Sequence, residues 1–219
     1  MPRPILYAHR GSALNHRENT AGAFDAALAL GFEAFELDLL RLGDDTIVVY
    51  HDFSLMRQFK KLKRTNKVTL SEFRKINNKI LTFEEFVRRY SKKDITVNFE
   101  IKDDTRTLGL ARAGISKFKR PVVSSFRLKI VEAAAALGLP VGYLFDTVRA
   151  FKANKRKIKG NRIHVSRKML AKRYKPSVLF RGYDLHVYTV NDPIEARQLA
   201  EFSFVKGIFT DTPDVLRAF

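Results

Sequence analysis

The chain has 219 residues, of which 45% are hydrophobic, enough for a sizeable core in one large domain or two small ones. It contains no cysteine, which excludes disulfides, thiolate metal sites and cysteine nucleophiles. Its 41 Lys and Arg outnumber its 23 Asp and Glu, for a net charge of +18. Such a surface attracts anions, which include phosphorylated small molecules, nucleic acid and anionic bilayers. A solvated basic surface without a dedicated partner is the simpler interpretation.

The sequence contains no apolar stretch close to the ~20 residues of a membrane span. Its first residues, MPRPILYAHRG, also lack the long apolar stretch of a secretion signal. We therefore expect a cytoplasmic protein.

Short apolar segments alternate with segments of helical periodicity along the chain. The predicted strands cover residues 5–10, 34–39, 95–101, 121–126, 141–146, 162–166, 185–190 and 207–211. Helical patterns cover residues 19–31, 81–91, 129–138, 192–202 and 212–219, and Thr82 with Glu85 forms a predicted capping box. Eight strand–helix repeats predict an α/β fold, a closed (β/α)8 TIM barrel. An open doubly wound sheet is the alternative, but no G-x-G-x-x-G follows the first strand.

One segment interrupts the alternation. Residues 46–52, TIVVYHD, are predicted to form an extra strand that pairs back on the second strand. Residues 53–80 read as a basic, weakly structured excursion over the barrel mouth. We therefore predict one domain over residues 1–219, with a small insertion after strand two at about 46–81.

Polar side chains gather where the predicted strands end. Side chains two apart on a strand share a face, so Glu36 and Asp38 point the same way, as do Glu100 and Lys102. In a barrel the carboxyl ends of the strands line one mouth. The residues expected at this mouth are His9, Arg10, Glu36, Asp38, His51, Glu100 and Lys102.

These residue types suit phosphate chemistry. Three clustered carboxylates repel one another unless a cation such as Mg²⁺ or Ca²⁺ neutralises them. His9 and His51 could exchange protons near neutral pH. Arg10 and Lys102 could hold a phosphate. Together they indicate metal-assisted cleavage of a phosphate ester, although a charge pair on an edge strand or a hydrogen-bonded core histidine would explain single residues.

Five motifs in order make the chain similar to the glycerophosphodiester phosphodiesterase family, whose pattern is H-R-G, P-E-N-T, E-x-D, H-D and E-x-K. Here these read HRG (9–11), RENT (17–20), ELD (36–38), HD (51–52) and EIK (100–102). Later segments also resemble the family: SSF (124–126), YTVND (188–192) and GIFTDTPD (207–214).

The resemblance implies a TIM barrel that hydrolyses glycerophosphodiesters to sn-glycerol 3-phosphate and an alcohol. Glu36, Asp38 and Glu100 would bind one divalent metal ion, Mg²⁺ or Ca²⁺, with Glu18 at the metal or close to it. The acid/base pair would be His9 and His51. The phosphate would be held by Arg10 and Lys102. Asn19 would fix the loop or a phosphate oxygen, or would cap the following helix.

Two positions depart from the family pattern. Arg17 replaces a Pro and adds a charge that could loosen the catalytic loop. Tyr188 replaces a Trp, which makes the wall on the alcohol side smaller and adds a hydroxyl.

The basic segments do not by themselves identify a binding partner. Residues 149–175 contain 12 Lys and Arg and no Asp or Glu, and they span a predicted strand, so we do not expect one charged face. A weak contact with an anionic membrane surface would favour a lysophospholipase D acting on lysophospholipids. A nucleic-acid-binding barrel without turnover is the other alternative, but the acid/base set speaks against it, and we expect no specific nucleic acid partner.

Overall fold

Nine strands form one sheet that closes on itself in the computed structural model, which describes residues 3–12 and 16–216. The strands are β1 (Ile5–His9), β2 (Ala34–Arg41), β3 (Ile47–Val49), β4 (Thr96–Ile101), β5 (Arg120–Ser125), β6 (Val141–Phe145), β7 (Arg162–Ser166), β8 (Asp184–Tyr188) and β9 (Val205–Thr210). All pair in parallel except β3, which runs antiparallel to β2. Pairing of β1 with both β2 and β9 closes an eight-stranded parallel barrel, which confirms the predicted fold.

Helices follow the strands around the outside of the barrel. They are α1 (Ala21–Ala29), α2 (Met56–Phe59), α3 (Leu70–Ile76), α4 (Phe83–Tyr90), α5 (Thr105–Ile115), α6 (Leu128–Ala136), α7 (Val148–Asn154), α8 (Pro176–Leu179), α9 (Pro193–Ala200) and α10 (Pro213–Leu216). The predicted capping box of Thr82 and Glu85 is present at the start of α4. The helical patterns did not include α5, which begins behind the capping side chain of Asp104.

The insertion is more ordered than predicted. Residues 53–80 contain α2, α3 and a short 3-10 turn, and a second capping box joins Thr69 and Glu72. The insertion also has its own buried apolar cluster, in which the rings of Tyr50, Phe59 and Phe73 contact one another. The prediction of a weakly structured excursion was therefore wrong, because it weighed the basic residues and overlooked the apolar ones between them.

Most of the core lies between the barrel wall and the helices. Its largest cluster includes rings from α1, α4 and the strands, with Phe24, Phe35 and Phe86 fully buried. Part of the barrel interior, in contrast, is filled by two buried histidines, His164 and His186, whose ring centroids lie 5.1 Å apart. Within the described ranges, no helix is long and apolar enough to cross a membrane.

The two histidines fit because glycine lies beside each of them. A Cβ on Gly142 would come within 2.3 Å of His164 Nε2, and one on Gly207 within 2.3 Å of His186 Nδ1. Neither ring nitrogen of His164 has a hydrogen-bond partner among the residues that the structure describes. Burial and nearby Arg162 lower the pKa of His186 from 6.5 to about 3, and burial also lowers the pKa of His164. Both rings are therefore neutral when the protein is folded.

Because His164 and His186 are buried in the neutral form, we expect the protein to lose stability in acid. The folded protein disfavours protonated His186. The contribution of neutral His186 to the free energy of unfolding is therefore complete above pH 6.5 and declines as the pH falls toward about 3. The loss is about 1.4 kcal/mol per pH unit for each such group. We expect His186→Gln to flatten the pH dependence of the free energy of unfolding, measured by urea titration. The same substitution at exposed His16 is the control, and parallel curves for the His186 variant and the wild type would contradict the prediction.

Candidate active site

The barrel register brings the polar side chains of β1, β2 and β4 to one end. His9 pairs with Glu36 across β1 and β2, and Asp38 pairs with Glu100 across β2 and β4. Parallel strands expose their carboxyl ends on the same side, which we call the mouth. Residues 9–10, 36–38 and 100–102 therefore meet there, as the sequence predicts.

Three buried carboxylates form the centre of this site. Glu36, Asp38 and Glu100 are 3%, 0% and 8% exposed, and one oxygen of each lies within 4.8 Å of the others. We call this group the carboxylate triad. Two cations compensate part of its charge. Arg10 Nε lies 3.0 Å from Asp38, and Lys102 Nζ lies 2.6 Å from Glu100 and 3.5 Å from Asp38.

Arg10 and Lys102 compensate the negative charge of the three carboxylates unequally. Burial alone would raise the pKa of Asp38, but Arg10 and Lys102 outweigh burial and hold that pKa well below its usual range. Burial and the charge of Asp38 raise the pKa of Glu36 to about 8. Burial also raises the pKa of Glu100, against the effect of Lys102. The triad thus carries more negative potential than its two protein cations neutralise.

The free oxygens of the triad fit a hard cation. Glu36 Oε1 and Asp38 Oδ1 are buried without a hydrogen-bond partner among the described residues. Buried polar atoms are normally satisfied. Asp38 Oδ1 has only the 3.5 Å ion pair with Lys102, so both oxygens are available to a further cation. Carboxylate oxygens in this arrangement are the ligands that Mg²⁺ and Ca²⁺ prefer. The triad can therefore hold a divalent metal ion.

Two histidines flank the triad, and each is oriented by a carboxylate. His9 Nδ1 lies 2.5 Å from Asp211, which follows β9, and its Nε2 lies 3.6 Å from Glu36. His51 Nδ1 lies 2.6 Å from the adjacent Asp52. Burial would lower the pKa of His9, but Glu36 and Asp211 together raise it. Contact through Nδ1 leaves Nε2 of each ring for proton transfer.

Asp52 also joins the site to the insertion. Its second oxygen accepts a hydrogen bond of 2.6 Å from Arg57 Nε on α2. Arg57 in turn pairs with Glu18, which also lies 3.2 Å from Arg10. Glu18 is therefore next to the triad and not part of it. Its contacts are with arginines and with Gln58.

The loop after β1 adopts unusual backbone geometry. Arg10 and Asn19 have φ angles of 56° and 60°, and the Asn19 N–H donates to the Arg10 carbonyl at 2.9 Å. Asn19 Nδ2 donates to Asp38 at 2.8 Å, whereas Thr20 caps α1. Of the three alternatives for Asn19, the helix cap is thus wrong. Gly11 is required because a Cβ there would lie 2.6 Å from the Ala23 carbonyl carbon.

Arg17 does not lie free in this loop. Its guanidinium carbon is 4.7 Å from the centroid of the Phe59 ring in the insertion. The expectation that Arg17 loosens the loop is therefore replaced by a contact between the loop and the insertion.

The triad opens into a cavity of about 200 Å³. Tyr188 and Phe126 form one wall and meet edge to face at 6.2 Å, and the Tyr188 hydroxyl donates to the Phe145 carbonyl. Asn98 on β4, the register partner of Glu36, and His164 on β7 also line the cavity. The cavity therefore combines charged groups, an apolar wall and neutral polar side chains.

Several of these residues were not singled out from the sequence. Asp211 lies 202 residues from His9, although its segment was noted as a motif. In the sequence, only its position next to His51 marks Asp52. The position of Phe126 directly after β5 was a usable signal, since residues there line the mouth. No local pattern distinguishes His164 from an ordinary core residue.

Comparison with known proteins agrees with this geometry. The sequence model of the "Glycerophosphoryl diester phosphodiesterase family" matches residues 9–215. The protein YhdW of Bacillus subtilis is 26% identical over 239 residues, covering 96% of each chain. A glycerophosphodiester phosphodiesterase of Caldanaerobacter subterraneus is 32% identical over 111 residues, covering 46% of each.

Solved structures have the same barrel. A glycerophosphodiester phosphodiesterase from Thermotoga maritima superposes with a TM-score of 0.85 and 28% identity, covering 98% of this chain and 97% of its own. A phosphodiesterase from Oleispira antarctica, solved with its product sn-glycerol-3-phosphate, has a TM-score of 0.85 at 21% identity, covering 99% and 96%. With the family match extending over nearly its whole length, the chain belongs to the glycerophosphoryl diester phosphodiesterase family.

Proposed function

We propose that the protein hydrolyses glycerophosphodiesters to sn-glycerol 3-phosphate and an alcohol, with a divalent metal ion on the triad and with His9 and His51 as the acid/base pair. The observation that supports this most is the placement of two carboxylate-bound histidines beside three buried, incompletely neutralised carboxylates. Family membership supports the reaction class.

Glu36, Asp38 and Glu100 are the residues that would hold the metal ion, which we propose to be Mg²⁺ or Ca²⁺. When bound, such an ion neutralises charge that develops on phosphate oxygens. Arg10 and Lys102 lie on the same side of the cavity and add positive charge for the phosphate. Asn19 fixes Asp38 through its amide, and Glu18 holds Arg10 in place.

The histidines move the protons. One imidazole removes a proton from the attacking hydroxyl or water, and the other donates a proton to the departing alkoxide. The Nδ1 contacts with Asp211 and Asp52 fix each ring so that Nε2 performs this exchange. The charge of Asp211 also favours the protonated form of His9, because it raises the pKa of that imidazole.

The cavity suits a small polar phosphate with a glycerol-sized group. Its volume of about 200 Å³ lies below the roughly 300–1,000 Å³ of most ligand sites, and the Tyr188 and Phe126 wall would contact the non-phosphate part. The product in the Oleispira antarctica structure is sn-glycerol-3-phosphate, which supports the same product here.

A lysophospholipase D activity is a second candidate. Phe126 is 47% exposed at the mouth, where it could contact an acyl chain that leaves the cavity. The preference between soluble diesters and lysophospholipids is measurable as the ratio of kcat/KM for the two substrates.

We expect both histidines to be essential. His9→Ala and His51→Ala should each lower kcat by about 10²- to 10⁴-fold, because each removes one proton-transfer group. The assay is release of sn-glycerol 3-phosphate from glycerophosphocholine with Mg²⁺, with Ca²⁺ and with EDTA. His16→Ala, at an exposed histidine, is the control. A His9 or His51 variant with near-normal kcat, or full activity in EDTA, would refute the proposal.

We expect Glu36→Gln to separate metal binding from stability. Because the folded protein raises the pKa of Glu36 from 4.5 to about 8, stability is lost as the pH rises through this range. The metal-free variant should therefore melt above the metal-free wild type at pH 8 or higher. It should also lose most of the rise in Tm that Mg²⁺ or Ca²⁺ gives the wild type.

The matched control for this variant is Glu33→Gln, at the amino end of β2. Glu33 is exposed and remote from the triad. Its variant should keep the full metal-induced rise in Tm. An equal metal response in Glu36→Gln and the wild type would rule out Glu36 as a ligand.

Asp211→Asn tests how His9 is oriented. The amide cannot support protonated His9 as the carboxylate does, so kcat should fall about 10- to 100-fold. Asp211 raises the pKa of His9, so the limb of the pH–rate profile that reports His9 should move to lower pH. Asp184→Asn, at the amino end of β8, is the control. An unchanged profile would show that Asp211 has only a structural role.

A further inference from the structure

The insertion has an exposed tip at the mouth, in which one apolar residue is surrounded by basic ones. Residues 60–64, KKLKR, form this tip, which we call the basic tip. Its central residue, Leu62, is 94% exposed, the highest exposure of any large hydrophobic side chain in the described part of the chain. Around it, Lys60, Lys61 and Arg64 are exposed, while Lys63 pairs with Glu72.

The basic tip has a defined backbone. Ser54 and Arg64 form an antiparallel bridge, and the N–H groups of Leu55 and Thr65 donate to the carbonyls of Lys63 and Phe53. The Lys63 N–H donates to the Lys61 carbonyl at 2.9 Å, so the chain turns sharply at Leu62. Leu62 is thus held outward by the hairpin that it closes.

The basic tip lies at the mouth end of the barrel. Phe53 and Arg64 share a groove with Asp103 and Arg127, which follow β4 and β5. On its other side the hairpin reaches Glu18 through Arg57. A surface that contacts the basic tip therefore approaches the opening of the active site.

We propose that the basic tip docks the protein on an anionic lipid bilayer, with Leu62 inserted at the boundary between headgroups and acyl chains. Clustered Lys and Arg are attracted to anionic lipid, and an apolar side chain gains by leaving water in the interface. A nucleic acid would offer an isolated aliphatic side chain no comparable partner, since single strands stack on aromatic rings. The proposal is independent of the reaction performed in the cavity.

If the bilayer faces the mouth, only some of the other basic residues can contact it. Residues 167–175 follow β7 at the mouth end, whereas Arg156, Lys157 and Lys159 precede β7 at the opposite end. The second group cannot contact a bilayer that faces the mouth. It therefore supplies a matched set of basic controls.

The test is co-sedimentation with vesicles of phosphatidylcholine alone or mixed with phosphatidylglycerol, at low and high salt. The wild type should bind the mixed vesicles at low salt and lose binding at high salt. Leu62→Ser should lower the partition coefficient about tenfold, since a buried Leu contributes roughly that factor. Lys60→Gln with Lys61→Gln should lower it about fivefold per charge. Leu110→Ser, at an exposed Leu on α5, and Arg156→Gln with Lys157→Gln should bind like the wild type.

Three outcomes would overturn the proposal. The first is absence of wild-type binding to the mixed vesicles, and the second is equal binding by Leu62→Ser and Leu110→Ser. The third is a basic-tip variant that loses binding to a single-stranded oligonucleotide while it keeps vesicle binding. Leu62→Ser should hydrolyse soluble glycerophosphocholine at the wild-type rate, so failure of docking remains distinct from failure of the proposed activity.

Discussion

Mutual repulsion among Glu36, Asp38 and Glu100 is the constraint on which the rest of the site depends. Three carboxylates with oxygens within 4.8 Å of one another, all buried, are costly unless positive charge is brought to them. Arg10 and Lys102 supply part of it from neighbouring strand ends. Their incomplete compensation leaves the pKa of Glu36 raised, and leaves Glu36 Oε1 and Asp38 Oδ1 without a hydrogen bond among the described residues. The triad could therefore bind a cation in addition to Arg10 and Lys102.

The other polar residues around the triad add little charge of their own to it. Asp52 and Asp211 are also carboxylates near the triad, but each is bound to a histidine, and Asp52 is bound to Arg57 as well. These contacts orient the two imidazoles. Below the triad the barrel contains neutral His164 and His186, which add no positive charge there. Charge in the barrel interior is therefore confined to the mouth.

Much of this arrangement was accessible from the sequence because strands place alternate residues on one face and a parallel barrel collects their carboxyl ends. Glu36, Asp38, Glu100 and His9 follow from these two rules. His51 does not, because it follows β3, which runs antiparallel to β2. Contacts between distant segments do not: Asp211 meets His9 across 202 residues, and only the closure of β1 on β9 joins them. The insertion was misjudged for a related reason, since its Tyr50 and Phe73 pair only after the chain has turned back.

The insertion contains both a contact with an active-site histidine and the exposed basic tip. His51 and Asp52 precede the hairpin, Arg57 on α2 binds Asp52, and the basic tip begins directly after α2 ends. One hairpin therefore both holds an imidazole of the site and carries the most exposed apolar side chain of the described chain. Arg57 binds both Asp52 and Glu18, so the hairpin and the active site share these two ion pairs. The segment that was predicted to be weakly structured is thus fixed, through Arg57, to the carboxylate that contacts His51.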